Sequence, residues 1–222
     1  MGTLWETTDG LFEYLPTSFR EYYAMERAQR ENPSELRNLV RTFRVSSVGA
    51  AVETADGKIV VQRRASDLPV APRLLDSSAA GLCAARYDRL HFEDVIRDKL
   101  REELGIMADD IAQLALTGVH SATDYLSGMF AYRATTTLPF TEIVHRHDRG
   151  RVAVLSSVST ENLGDFILDR YSSDDLVGDG CATFLAALLA SDFLGVVEEL
   201  RRRGKDIQFG QVKDGQFRSH TD

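Results

Sequence analysis

Hydrophobic positions change period several times along the chain, and each change marks an element. In residues 93–106, EDVIRDKLREELGI, the apolar positions Val95, Ile96, Leu100 and Leu104 recur at helical spacing, so one side of a charged helix faces a core. Glu93 and Asp94 place negative charge in its first turn, and Gly105 is a natural stop. Upstream, residues 47–53 and 59–63 are short β-prone runs joined through Ala55-Asp56-Gly57-Lys58, where Asp-Gly marks a tight hairpin. Residues 74–81 read as loop and short strand entering a turn at Gly81. Residues 111–121, 126–136 and 151–158 are further strand-like runs. Ser159-Thr160-Glu161-Asn162 opens a short helix carrying Leu163, Phe166, Ile167 and Leu168. A last long helix is expected over 181–203, with Phe184, Leu185, Leu188, Leu189, Phe193, Val196 and Leu200 on its buried face and Gly204 at its stop.

The flanks read differently. Residues 1–45 form an expected helical preface. Ser18-Phe19-Arg20-Glu21 is a capping-box pattern for a helix to about Arg30, and Asn32-Pro33-Ser34-Glu35 restarts one. Residues 142–151 are polar and read as loop or strand edge, and residues 171–180 read as a polar loop before the last helix. The segment 205–222 is a polar tail, either an extra hairpin or without order. The order of elements implies an α/β sandwich, helices on both faces of a mixed sheet, over residues 46–204.

Composition narrows the classes. A chain of 222 residues, 43% hydrophobic and 27% charged, can bury a full core. A net charge of −8 argues against a general nucleic-acid surface and against affinity for anionic membranes, while leaving room for a locally basic pocket that takes a small phosphorylated metabolite. Cys83 and Cys181 lie far apart and suggest neither a disulfide framework nor a zinc site. The acidic start lacks a secretory pattern, and the most apolar stretch, 184–197, is interrupted by Ser191 and Asp192, so a soluble cytoplasmic protein is expected.

Candidate chemistry gathers around Glu102 and Glu103. Adjacent carboxylates on a rigid element either hold a hard divalent cation through oxygen or remain two solvated charges. Arg63 and Arg64 at a strand end are either phosphate contacts or partners of nearby carboxylates. His120, His145 and His147 are possible acid–base groups, with packing and solvation as the plainer readings. The acidic stretch 174–179 offers a carboxylate for a general base, while Asp179 also suits the N-cap of the last helix, the better reading.

These residues together resemble the Nudix superfamily, whose box reads G-x5-E-x7-R-E-U-x-E-E-x-G-U, with U a bulky aliphatic. Leu100-Arg101-Glu102-Glu103-Leu104-Gly105-Ile106 matches the second half without a gap, and Gly81 stands near the place of the opening glycine. The hairpin ending in Gln62-Arg63-Arg64 and the order of elements after the box fit as well, so the resemblance spans about residues 45–203. It implies a Nudix-like α/β/α fold and a site built from Glu102, Glu103, Arg63, Arg64 and Gly81. It also implies magnesium or manganese as cofactor, and hydrolysis of a nucleoside diphosphate derivative by metal-assisted attack of water. The front half departs. The family's Arg-Glu falls on Asp98-Lys99, its first glutamate on Leu90, and Gly81 lies three residues too early, making 83–91 an insertion. A second register puts Arg97-Asp98 in that role and aligns Asp98 with Glu102 as metal ligands, at the cost of a bulge, because one inserted residue rotates the helix by roughly 100°. Two functional classes follow: a divergent hydrolase, or a Nudix-fold module that has lost hydrolysis and binds, senses or scaffolds. A different α/β fold with an accidental EELG, and a homodimer using the preface as its seam, also remain open.

Overall fold

The computed structural model describes residues 2–6, 12–16, 19–31, 44–83, 91–121, 127–147, 152–188, 190–205, 209–213 and 216–219. Its strands are β1 (Gly2–Glu6), β2 (Phe12–Pro16), β3 (Arg44–Glu53), β4 (Lys58–Arg64), β5 (Leu75–Asp76), β6 (Ala79–Leu82), β7 (Ile111–Ser121), β8 (Ser127–Thr136), β9 (Val152–Ser159), β10 (Phe209–Lys213) and β11 (Gln216–Ser219). The helices are α1 (Phe19–Glu31), α2 (Phe92–Leu104), α3 (Phe140–Arg146), α4 (Leu163–Ser172), α5 (Gly178–Ala187) and α6 (Ala190–Arg202).

β3 is the hub. It runs parallel to β8 from Val45–Ser127 to Glu53–Thr135, and antiparallel to β6 from Ser47–Leu82 to Ala50–Ala79. β8 continues antiparallel into β7, and β7 into β10. At its far end β3 turns through Gly57, whose φ of 71° is the left-handed conformation the Asp-Gly signal calls for, into β4. β4 then leaves β3 and pairs with β9 and β5 instead. The sheet is mixed, as the order of elements requires.

Alternation along the strands divides the core in two. Val48, Ala50, Val52, Val60, Phe130, Tyr132 and Ala134 face α2 and α3, where Val95, Ile96, Leu100, Leu104 and Ile143 close the layer. Ala51, Ile59, Val61 and Ala131 face the opposite way, toward Leu163 and Ile167 of α4, Phe184 and Leu185 of α5, and Phe193, Val196 and Leu200 of α6. Because β3 is covered on both faces, it reads as a nearly unbroken run of small and apolar residues. The architecture is an α/β/α sandwich around a mixed sheet. Among the described residues, no helix is long and apolar enough to cross a membrane.

Several expectations are corrected. The preface is not wholly helical: β1 and β2 form an antiparallel hairpin, and β1 joins β3 at Thr3–Val45 and Leu4–Arg44. The signal is present in Leu4-Trp5 and Phe12-Glu13-Tyr14, aromatic runs on either side of Asp9-Gly10. α1 falls where the capping box places a helix, whereas the second expected helix, over 32–43, lies outside the described residues, as does most of the 83–91 insertion. The polar stretch from 142 is helical, not loop or strand edge. α3 follows Pro139, buries Ile143, and is braced by the Arg146–Glu142 ion pair at 2.8 Å. The last long helix is two. α5 is buried almost all round, whereas α6 has one apolar face, and the chain breaks at Leu188 with ψ 152° so that each can present its own surface. The tail contributes the β10–β11 hairpin.

The core makes a measurable demand. Phe184, fully buried between sheet and helices, should cost about 3–5 kcal/mol on replacement by alanine. Leu194→Ala, at a side chain 58% exposed on α6, should change stability by less than about 0.5 kcal/mol. Urea melts of both variants check the pair.

Candidate functional site

α2 is placed at both ends. At its start Phe92 stacks on Phe130 of β8, ring centroids 3.7 Å apart. At its end Gly105 adopts φ 66°, and the amides of Gly105 and Ile106 return to the carbonyls of Arg101 and Leu100 at 3.1 and 3.2 Å. The aliphatic frame of the EELGI stretch thus folds as the helix stop its sequence announces.

The two glutamates then part company. Glu103 turns inward and is 9% exposed. Its Oε2 accepts hydrogen bonds from Gln62 Nε2 of β4 at 3.0 Å and from the Ala80 amide of β6 at 3.3 Å. Gln62 also donates to the Ser78 carbonyl. Nearby Asp76, 4% exposed, accepts from the Ser77 amide at 2.8 Å and pairs with Arg64 at 2.7 Å. Burial pushes the Glu103 carboxyl above its ordinary range, and the Asp76 charge pushes the same way; the Gln62 bond, the Lys99 charge and the Ala80 amide oppose them.

Glu102 stays at the surface of the helix and meets Lys99, Nζ to Oε2, at 3.0 Å. Glu103, four residues along the helix from Lys99, is drawn to the strands instead. The Lys99 stem lies across β6, so that a Cβ on Gly81 would stand 2.6 Å from its Cε and 2.8 Å from its Cδ. Gly81 therefore makes room for a side chain of its own protein. Asp98 pairs with Arg101 at 2.8 Å. α2 is continuous from Phe92 to Leu104, without the bulge that the second register needs to align Asp98 with Glu102.

Arg63 and Arg64 point to opposite sides of β4. Arg63 forks onto Asp175 at 3.0 and 3.2 Å and donates to the Arg73 carbonyl at 2.6 Å, while Arg64 reaches Asp76 and the Val70 carbonyl. Both arginines thus sit on carboxylates of this chain, the plainer of their two expected roles. The Arg63 fork holds the Asp175 carboxyl below its usual range. It also latches the 173–177 segment onto β5, where Leu75 and Leu176 form a parallel bridge. Asp174 is paired with Lys205. Asp179 lies in the first turn of α5, whose N-cap is Val177, and stands 3.9 Å from His120 of β7. His145 is exposed near the end of α3, and His147 Nδ1 lies 2.6 Å from the Val144 carbonyl.

The structure therefore assembles a largely buried polar cluster from Gln62, Arg64, Asp76, the Ala80 amide, Lys99, Glu102 and Glu103. Of these, Gln62 and Asp76 were not singled out as site residues. Their signal is a polar residue directly after an apolar run, Ile59-Val60-Val61 before Gln62 and Leu74-Leu75 before Asp76. Among the described residues, no group of three His, Cys, Asp or Glu side chains is placed to hold a metal ion. A hard cation needs several converging oxygens. Glu102 on a lysine, Glu103 under two N–H donors and Asp98 on an arginine do not fit that need.

No family model matches the chain, and no curated protein does. Solved structures do. DR0079 from Deinococcus radiodurans is 21% identical, with 65% of this chain and 82% of that one covered, at a TM-score of 0.49. The MutT protein from Methanosarcina mazei Go1 is 17% identical, covering 73% and 96%, at 0.43. A Nudix-family hydrolase from Clostridium perfringens is 13% identical, covering 72% and 97%, at 0.39. The chain is similar to these proteins in fold; at such identities and TM-scores they lend no residue role to it.

Two consequences can be measured without a ligand. Because the folded value of Glu103 is raised, its contribution to stability is complete below the ordinary glutamate range and is lost as pH rises through the raised value. Glu103→Gln should flatten that loss in urea melts from about pH 4 to about pH 8 in the presence of EDTA. Asp175 has the opposite sign, stabilising above the ordinary aspartate range and losing that effect as pH falls through its lowered value. Asp175→Asn should cost about 1 kcal/mol at neutral pH and progressively less in acid.

Proposed function

We propose that this chain is a Nudix-fold binding module that does not carry out metal-assisted hydrolysis. The observation that carries the reading is the separation of the helix carboxylates. Asp98, Glu102 and Glu103 each engage a different partner, and Lys99 stands where a carboxylate would complete a metal face. Metal-assisted attack on a diphosphate needs cations both to neutralise the phosphates and to lower the pKa of water. An ammonium beside Glu102 opposes their entry by Coulomb repulsion. The resemblance implies a small phosphorylated metabolite or nucleotide as ligand, and that class is the first to test.

One observation favours the hydrolase reading. Glu103 is a buried carboxyl with a raised pKa among other polar groups, an environment from which acid–base groups are recruited. On that reading magnesium or manganese would enter beside Glu102 and Glu103, and the substrate would be a nucleoside diphosphate derivative.

Full-length protein assayed with magnesium or manganese against a panel of nucleoside diphosphate derivatives separates the two. No turnover above buffer is expected, together with binding of a panel member that does not depend on metal. Metal-dependent turnover of any panel member, abolished by Glu103→Gln, would overturn the binding-module reading.

A further inference from the structure

We propose that the Lys99 ammonium is a tethered cation that takes the place of a metal ion beside Glu102 and Glu103, and that Gly81 is the seat that lets it do so. The inference deepens the binding-module reading and rests on it.

The electrostatic need is local. Glu102 and Glu103 are adjacent carboxylates near the C-terminal end of α2, where the helix dipole already presents partial negative charge. Glu103 is buried as well, which makes uncompensated charge there costly. The basic residues of the neighbourhood are largely committed elsewhere. Arg101 turns to Asp98, Arg97 to Glu93, and Arg64 to Asp76. The ammonium that reaches the pair is Lys99, 3.0 Å from Glu102 and close enough for its charge to act on Glu103.

The seat is equally specific. The Lys99 side chain is only 19% exposed, because its methylenes lie along β6 at Gly81. A methyl group there would come within 2.6 Å of Cε, 2.8 Å of Cδ and 3.4 Å of Cγ. Any larger residue at 81 would lift the stem and carry the ammonium off Glu102. A cation fixed to the chain needs no capture from solution and is desolvated as part of folding, whereas a magnesium ion must be both captured and partly dehydrated. It also cannot be removed by chelation. Divalent cations should therefore have no part in the stability of the wild-type protein. Loss of the ammonium should expose a carboxylate pair that recruits one.

The test uses the full chain and Mn2+ alone, read by thermal unfolding and by calorimetric titration. Wild type should unfold at the same temperature in EDTA and in Mn2+. Lys99→Met should unfold earlier in EDTA, regain stability saturably with Mn2+, and bind Mn2+ tighter than wild type by roughly tenfold or more. The double variant Lys99→Met/Glu102→Gln should lose that rescue. Gly81→Ala, which keeps the lysine but lifts it from its seat, should show the same rescue in weaker form, and it decides the matter if Lys99→Met does not fold in either condition. Equal stabilisation of wild type and Lys99→Met by Mn2+ would overturn the proposal, as would a Lys99→Met protein indifferent to both EDTA and Mn2+. Neither result bears on whether wild type turns over a substrate, so failure here and failure of the binding-module reading are distinguishable.

Discussion

Burial of one carboxylate, Glu103, sets the geometry of the polar cluster. A helix that packs on a sheet through Val95, Ile96, Leu100 and Leu104 alone could slide along it, because apolar contacts are not directional. The hydrogen bonds from Gln62 and the Ala80 amide to Glu103 allow one position along β4 and β6. Phe92 on Phe130 fixes the other end of the helix. With α2 pinned at both ends, Glu102 stays half-buried on Lys99, Lys99 crosses Gly81, and Asp98 is turned toward Arg101.

The opposite layer is fastened by a different device. α5 is buried almost all round, so its approach to the sheet is governed by shape, and the segment before it is held by the Arg63–Asp175 fork and the Leu75–Leu176 bridge. Arg63 and Arg64, consecutive on β4, thus serve opposite faces: one latches the helical layer, the other neutralises Asp76 near Glu103. A pair of arginines that looks like a phosphate claw in the sequence is divided by the pleat of the strand into two structural ion pairs.

Much of the layer order was legible because it rests on period. Val48, Ala50 and Val52 alternate with Ala51 on β3, and the stripe on α2 repeats every three or four residues. The β1–β2 hairpin and α3 were missed for different reasons. The hairpin's aromatic runs sat within a stretch dominated by helix caps, while the short α3 owes its helicity to one buried isoleucine and to an i,i+4 ion pair. The break between α5 and α6 lies inside one continuous apolar pattern, and local sequence cannot say where such a pattern changes partner.

At the site, the sequence by itself determined that two carboxylates end a glycine-stopped helix and that a lysine shares their face, which follows from residue identity and helical spacing; that the lysine stands for a third carboxylate is what the Nudix resemblance implies. Which carboxylate is buried, which one the lysine takes, and what Gly81 is for were decided by the tertiary structure. The physical reason is that all three depend on β4 and β6, strands 18 or more residues upstream of Lys99 at Gly81 and 41 upstream of Glu103 at Gln62. Burial against strands brought in from that distance raises the Glu103 carboxyl above its ordinary range, and the donors on those strands oppose the shift, without any change in the residues next to it in sequence.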